Sequence, residues 1–531
     1  RGDRDAALSL ARQAADDTRT LTATMTNPDN RVTLGTRLRA AQALVVDLLA
    51  TDARRLAAAG EHEAAAARSS AALYAADAAL PAPPDRHGPP AAGARQQQLA
   101  TALAERRYRY ESLAERNATP TPTMQAIERE IAALRSQLAR LGAAGPAAAT
   151  AAADVNAANA REAGPDAPGG AAPLDAAALQ ARMPAESVLL VYSLGAQRSW
   201  RWTVSRERFA LDVLPPAAEI DRQVESLLAA VQALHAPVLA RSAAGALATA
   251  VLPPDLPAGA RLLIVPDGSL GAVPWALLGD DARPALQLAS FTAVSGRDAE
   301  PWPAAPLRLA LFGDPIFAAD DPRLGARAVP ASSGALTAAL PRLPGTAREL
   351  AAIAALAPAG SVRISTGAAA TRDAVLALPG DAVDVLHLAT HATLDTQVPA
   401  LASIVLSRRD ARGLELAGDL RPADIVALAA RPRLVVLSAC DAAAEPSRSA
   451  AGLMNLTRAF LAGGTRYVVA SRWAVGDASA IALMTEFYRG LLQDGLPPEA
   501  ALARAQRTLA ATPQWRAPFH WAGFVVTGAA P

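Results

Sequence analysis

Two patterns of apolar spacing divide the chain near residue 174. Up to about residue 145, alanine and leucine recur at helical spacing while proline and glycine fall in the gaps, which predicts an all-α region over 1–144. Within it, Leu56 to Leu73 reads as a helical hairpin: Gly60 would open the turn, Ala65 and Ala72 are small enough for close helix packing, and Leu73 would face a core. Ile127, Ile131, Leu134, Leu138 and Leu141 alternate four- and three-residue steps and predict one apolar seam along a surface helix. Residues 145–173 are Ala, Gly, Pro and Asn with almost no large apolar side chain, which predicts a flexible linker.

From 174 to 531 the spacing changes to short β-branched runs separated by helical stretches, the pattern of an α/β domain with a largely parallel sheet flanked by helices. The predicted strands are Ser187 to Leu194, Arg261 to Gly268, Leu307 to Pro315, Val383 to His391, Ala402 to Ser407, Arg433 to Cys440 and Arg466 to Trp473. Their near-continuous apolar character implies cover on both faces. The last two are joined by a helical stretch closed by Gly463 and Gly464, as in a right-handed crossover unit. The domain divides into an N-terminal half over 174–340 and a second half over 341–531.

Composition narrows the function classes. At 531 residues, 51% of them hydrophobic, the chain holds enough apolar material for two or three packed domains. A formal net charge of +1 gives no global field for nucleic acid or anionic lipid, so direct nucleic-acid and membrane partners are not expected. No run is long and apolar enough to span a bilayer. The single cysteine, Cys440, excludes an internal disulfide framework and fits a reducing compartment, so a cytoplasmic location is expected. Arg1 in place of methionine suggests a trimmed chain or part of a longer one.

The chemistry should lie beyond the carboxyl ends of parallel strands, where loops carry polar groups on a rigid base. Two predicted strands end in His391 and Cys440. As neighbours they would bring imidazole and thiol to one edge, and an imidazole there either takes the thiol proton or stabilises the thiolate. The backbone N–H groups of Cys440 and Ala392 are candidate donors to an oxyanion. Each residue alone has a simpler reading, a buried small hydrophobe or a satisfied loop histidine. Their conjunction favours a dyad, and their separation of 49 residues is close to the spacing of about 50 in caspases. No cofactor or metal is expected. His387 and His391 on one strand would stand about 13 Å apart, too far for one ion, and no glycine-rich phosphate loop follows any strand.

Several ordered blocks resemble the CHAT-domain family, caspase-like cysteine proteases associated with tetratricopeptide repeats. They are Leu262 to Leu278, Leu343 to Ala354, His387 to Ser407, Val435 to Ala443, Gly452 to Ala480 and Phe519 to Gly528. The hairpin around Gly60 resembles the second half of such a repeat, although any alanine-rich hairpin shares its spacing. The resemblance implies a caspase-like fold, His391 as general base, Cys440 as nucleophile and peptide-bond hydrolysis through a thioester. It also implies a protein or peptide substrate, a regulatory protein partner bound by the N-terminal helices, and a setting in bacterial defence or cell-death signalling. Ala392 stands where caspase-like relatives usually have glycine. Trp473 to Asp477 is similar to a loop that lies beside the substrate P1 side chain in separase-like proteins, which makes Asp477 and Trp473 pocket candidates. Asp441 and Asp395 are further ones. Asp477 could equally cap a helix opening at Ala478. A helical adaptor carrying a protease-like scaffold is the alternative to an enzyme, and a different thiol enzyme on an α/β fold is a third reading.

Overall fold

The structure is a computed structural model that describes residues 2–24, 28–78, 126, 129–130, 176–233, 237–279, 283–294, 302–303, 306–327, 340–380, 382–393, 402–438, 456–473 and 475–528. Three helices open the chain, α1 (Gly2–Thr24), α2 (Pro28–Ala58) and α3 (His62–Ala78). Gly60 has φ 78°, the left-handed conformation that ends α2 and admits the turn into α3. Ala65, Ala72 and Leu73 are buried, as the hairpin spacing requires. Of the seam over 127–141, only residues 129 and 130 are described, both helical, as is neighbouring Ala126; the rest, and the stretch 145–173, lie outside the described residues.

The α/β part contains α4 (Ala176–Arg182), β1 (Ser187–Ser193), β2 (Ser199–Val204), β3 (Phe209–Leu214), α5 (Ala217–Gln232), α6 (Pro237–Val251), β4 (Arg261–Val265), β5 (Ala285–Leu288) and β6 (Leu309–Pro315). There follow α7 (Pro344–Ala354), β7 (Val362–Gly367), α8 (Arg372–Leu376), β8 (Val385–Ala389), β9 (His391–Thr393), β10 (Ser403–Val405), β11 (Asp419–Leu420), α9 (Pro422–Val426) and β12 (Leu434–Leu437). After helical turns at 456–462 come β13 (Tyr467–Ser471), α10 (Asp477–Leu492), α11 (Pro498–Ala511) and β14 (Phe524–Gly528).

Eleven of these strands form one sheet in the order β3-β2-β1-β4-β5-β14-β13-β12-β8-β6-β7. Seven of the ten pairings between neighbours are parallel, so the sheet is mixed but mostly parallel. It is built from two parallel blocks that run in opposite directions and meet where β13 pairs antiparallel with β14. The last of the described strands, β14, thus joins the block β1-β4-β5 to the block β13-β12-β8-β6-β7. β13, β12, β8, β6 and β7 therefore all end at one edge of the sheet.

Burial explains the continuous apolar strands. Every residue of β8, β12 and β13 is buried, and their side chains alternate between two cores. On β8, Val385 and Ala389 join the core that includes Leu350, Ile353, Leu483 and Phe487, while Leu386 and Leu388 join the one with Val375, Ile425 and Phe460. Polar contacts hold the N-terminal helices on β2 and on the turn after β5. Trp200 donates its indole N–H to Asp47 (3.1 Å), Trp202 donates to the carbonyl of Ser69 (3.2 Å), and Asp77 accepts from Ser290 Oγ (2.8 Å) and the Phe291 amide (3.0 Å). Leu49 and Leu73 share one core with Leu189 and Trp202, so hairpin and sheet bury apolar surface together.

Two predicted strands differ from what their spacing suggests. His391 does not end a strand of the large sheet: the chain leaves β8 at Ala389, and His391 opens β9 in a separate three-stranded sheet ordered β11-β10-β9. The predicted strand over 402–407 is the middle of that small sheet and pairs antiparallel on both sides. Thr390 Oγ1 donates to the carbonyl of Val405 and ties the exit of β8 to β10.

Candidate functional site

The site is built on the edge where β8 and β12 end. These strands are direct parallel neighbours, with Leu388 level with Leu437. His391 follows β8 by two residues and is 5% exposed. Its Nε2 lies 2.8 Å from the carbonyl oxygen of Pro341. A carbonyl only accepts, so Nε2 carries the proton and Nδ1 is the lone-pair nitrogen of the neutral ring. Phe317 packs on the imidazole with ring centroids 5.1 Å apart and planes tilted by 53°. After β12 the chain is described as far as Ser438; Cys440 and Asp441 lie outside the described residues, as does Asp395.

Ala392 is the middle residue of β9, opposite Ile404, with its methyl group in the second core. Trp473 follows β13 and is buried; its indole N–H is donated to the Phe519 carbonyl at 2.9 Å, and its ring stacks on Phe519. Asp477 is the first residue of α10, one residue earlier than the predicted start at Ala478, and Gly476 is the N-cap without a side-chain bond. The Asp477 side chain instead lies against Gly345 at the start of α7, where a β-carbon would come within 1.9 Å of its carboxylate. It faces Arg348 at 3.8 Å, with both side chains at least half exposed. His391 and Asp477 thus flank the same short segment, 341–345, one at its carbonyl and one at its glycine.

His387 is completely buried on the opposite face of β8 from Leu388. Its Nδ1 is 3.0 Å from the Tyr488 hydroxyl, and its Nε2 is 3.0 Å from Glu349 Oε1, an approach too oblique for a straight hydrogen bond. Ser438 Oγ donates to the other oxygen of Glu349 at 3.3 Å. Burial, and then the charge of Glu349, push the Tyr488 phenol well above its ordinary range, so it stays neutral. His387 on β8 and Ser438 just after β12 therefore both approach one carboxylate on α7, and His387 also meets a phenol on α10. Glu349 had a signal in the sequence: it is a charged residue beside Leu350 and four before Ile353, on the apolar side of its helix. The Pro341 carbonyl had none, because a backbone acceptor leaves no trace in residue type.

Comparison with known proteins gives the class. Residues 233–529, more than half of the chain, match the CHAT domain family, and the chain belongs to that family. A stretch of 109 residues is 37% identical to tetratricopeptide repeat protein 28 of Mus musculus and 36% identical to the protein of the same name from Homo sapiens. The match covers 20% of this chain and spans only 4% of the length of each of these relatives. No helix among the described residues is long and apolar enough to cross a membrane.

Proposed function

We propose that the chain is a caspase-like cysteine endopeptidase in which His391 is the general base and Cys440 the nucleophile. The observation that carries this reading is the bond from His391 Nε2 to the Pro341 carbonyl, which leaves Nδ1 as the proton acceptor at the edge toward which the β12 segment runs. A thiol with a pKa of about 8.5 is mostly protonated at neutral pH and needs such a base. Nδ1 takes the Cys440 proton and the sulfur attacks the carbonyl carbon of the scissile bond. The N–H groups of Ala392 and Cys440 stabilise the oxyanion; one such donor is worth about 3 kcal/mol in the transition state. On collapse, the C–N bond breaks, the imidazolium returns its proton to the leaving amine, and a thioester remains. Water, deprotonated by the same imidazole, then hydrolyses the thioester.

Asp477 is the acidic group for a basic P1 side chain. It is half exposed beside the segment that orients His391, and a substrate guanidinium or ammonium would replace the long contact to Arg348. Trp473 forms an apolar wall of the pocket, with Asp441 and Asp395 as further acidic candidates. The caspase-like division of the sheet, a regulatory protein partner on the N-terminal helices, and a role in bacterial defence or cell death belong to the same proposal.

The test is hydrolysis of fluorogenic peptides that differ at P1. The wild-type chain should cleave after Arg or Lys, Cys440→Ala and His391→Ala should abolish cleavage, and Asp477→Ala should remove the basic preference. A wild-type chain that cleaves no peptide, and whose Cys440 reacts with a thiol probe no faster than in His391→Ala, would favour the second reading: a helical adaptor on a protease-like scaffold. The continuous core between the hairpin and β1–β2 is the observation behind that reading.

A further inference from the structure

The end of β6 and the turn after it bear on His391 through Phe317, described above, and through Asp314, which has no role so far. Asp314, the last residue but one of β6 and the site of an irregularity in its pairing, is buried and adopts φ 44°, a left-handed conformation uncommon for a residue with a β-carbon. Both of its oxygens bind one guanidinium: Arg342 Nε to Oδ1 at 3.0 Å and Nη2 to Oδ2 at 2.8 Å. Its amide donates to Thr346 Oγ1 at 2.7 Å, and that hydroxyl donates to the Leu343 carbonyl at 2.8 Å. Arg323 adds a contact to Oδ2 at 3.0 Å, but it is chiefly engaged by Asp321 and by the carbonyls of Asp314 and Pro315. Two residues beyond Asp314, the Ile316 amide donates to Ser407 Oγ, and Phe317 then packs on the His391 ring.

The Pro341 carbonyl belongs to the peptide plane it shares with Arg342, so whatever fixes the Arg342 backbone fixes the direction of that oxygen. Arg342 is held by the bidentate pair and Leu343 by the Thr346 hydroxyl, and both restraints lead back to Asp314. We propose that Asp314 is a positioning residue for His391: through Arg342 it aims the Pro341 carbonyl at Nε2, and through the turn it heads it sets Phe317 against the ring. Its function is to hold the imidazole in the Nε2–H tautomer, with Nδ1 available for the thiol. The proposal rests on the peptidase reading for its purpose, but not for its geometry.

Two measurements on the full chain separate these. With ring-15N-labelled histidine, the six histidines give a small set of imidazole signals, and His391→Ala assigns one of them. Wild type should show His391 as the Nε2–H tautomer. Arg342→Gln and Asp314→Asn should both move it to a mixture, and the double variant should move it no further than either alone. In peptide hydrolysis the same variants should lower kcat about 10- to 100-fold, the penalty typical of an ångström-scale misplacement, with KM within about 2-fold. Should Asp314→Asn fail to fold, Arg342→Gln, whose side chain is 41% exposed, carries the test alone. Unchanged imidazole signals in Arg342→Gln overturn the proposal whether or not the protein cleaves peptides. A responsive ring in a chain that cleaves nothing overturns the peptidase reading alone.

Discussion

Tyr488→Phe isolates one hydrogen bond in a place where water cannot replace it. The substitution keeps the ring, and with it the edge-on contact to Phe487, and removes only the hydroxyl that lies 3.0 Å from His387 Nδ1. Because both residues are completely buried, the imidazole nitrogen is left with a desolvation penalty, and the expected loss is about 1–3 kcal/mol. His387→Leu should cost more. It removes the same contact to Tyr488 and also the imidazole 3.0 Å from the Glu349 carboxyl group, which is 3% exposed and keeps the Ser438 hydroxyl at 3.3 Å; a further buried polar group left short of a partner adds about 1–3 kcal/mol. Guanidinium denaturation followed by circular dichroism gives both values, provided the slope stays constant. If His387→Leu were no more costly than Tyr488→Phe, the Glu349 carboxyl group would not depend on His387, and the account of the network would fail.

Two further outcomes follow from the joints of the fold. A methyl group on Gly528 would lie 2.5 Å from the Arg466 carbonyl oxygen and 2.9 Å from Tyr467 Cδ1, so Gly528→Ala should destabilise the antiparallel seam by about 1–3 kcal/mol; an unchanged denaturation midpoint would refute that crowding. Burial raises the Asp77 carboxyl above its ordinary value, against the opposing bonds from Ser290 and Phe291. A raised folded-state pKa gives a contribution that is full below the ordinary aspartate range and lost as pH rises through the raised value. Asp77→Asn should therefore lose stability relative to wild type as pH falls from 7 toward 4, and a pH-independent difference between the two midpoints would contradict it.

The sequence by itself determined the local elements. A glycine turn and small residues at Ala65 and Ala72 were enough for the helical hairpin, and unbroken β-branched runs for β1, β4, β6, β8, β12 and β13, because those patterns arise from contacts each element must make with any core. The family blocks around His391 and Cys440 were also legible. β3, β5, β7 and β11 were not, being short or of mixed polarity, and β2 went unread although Ser199 to Val204 alternates polar and apolar residues at strand period. β14 was visible only as a family block, and its place between β5 and β13, which reverses the sheet, depends on pairing between segments more than two hundred residues apart. Only the tertiary structure decided that His391 opens a second sheet and that its ring is oriented by the carbonyl of Pro341. Register, strand order and backbone acceptors are properties of residues meeting in space, and residue type along the chain does not encode them one position at a time.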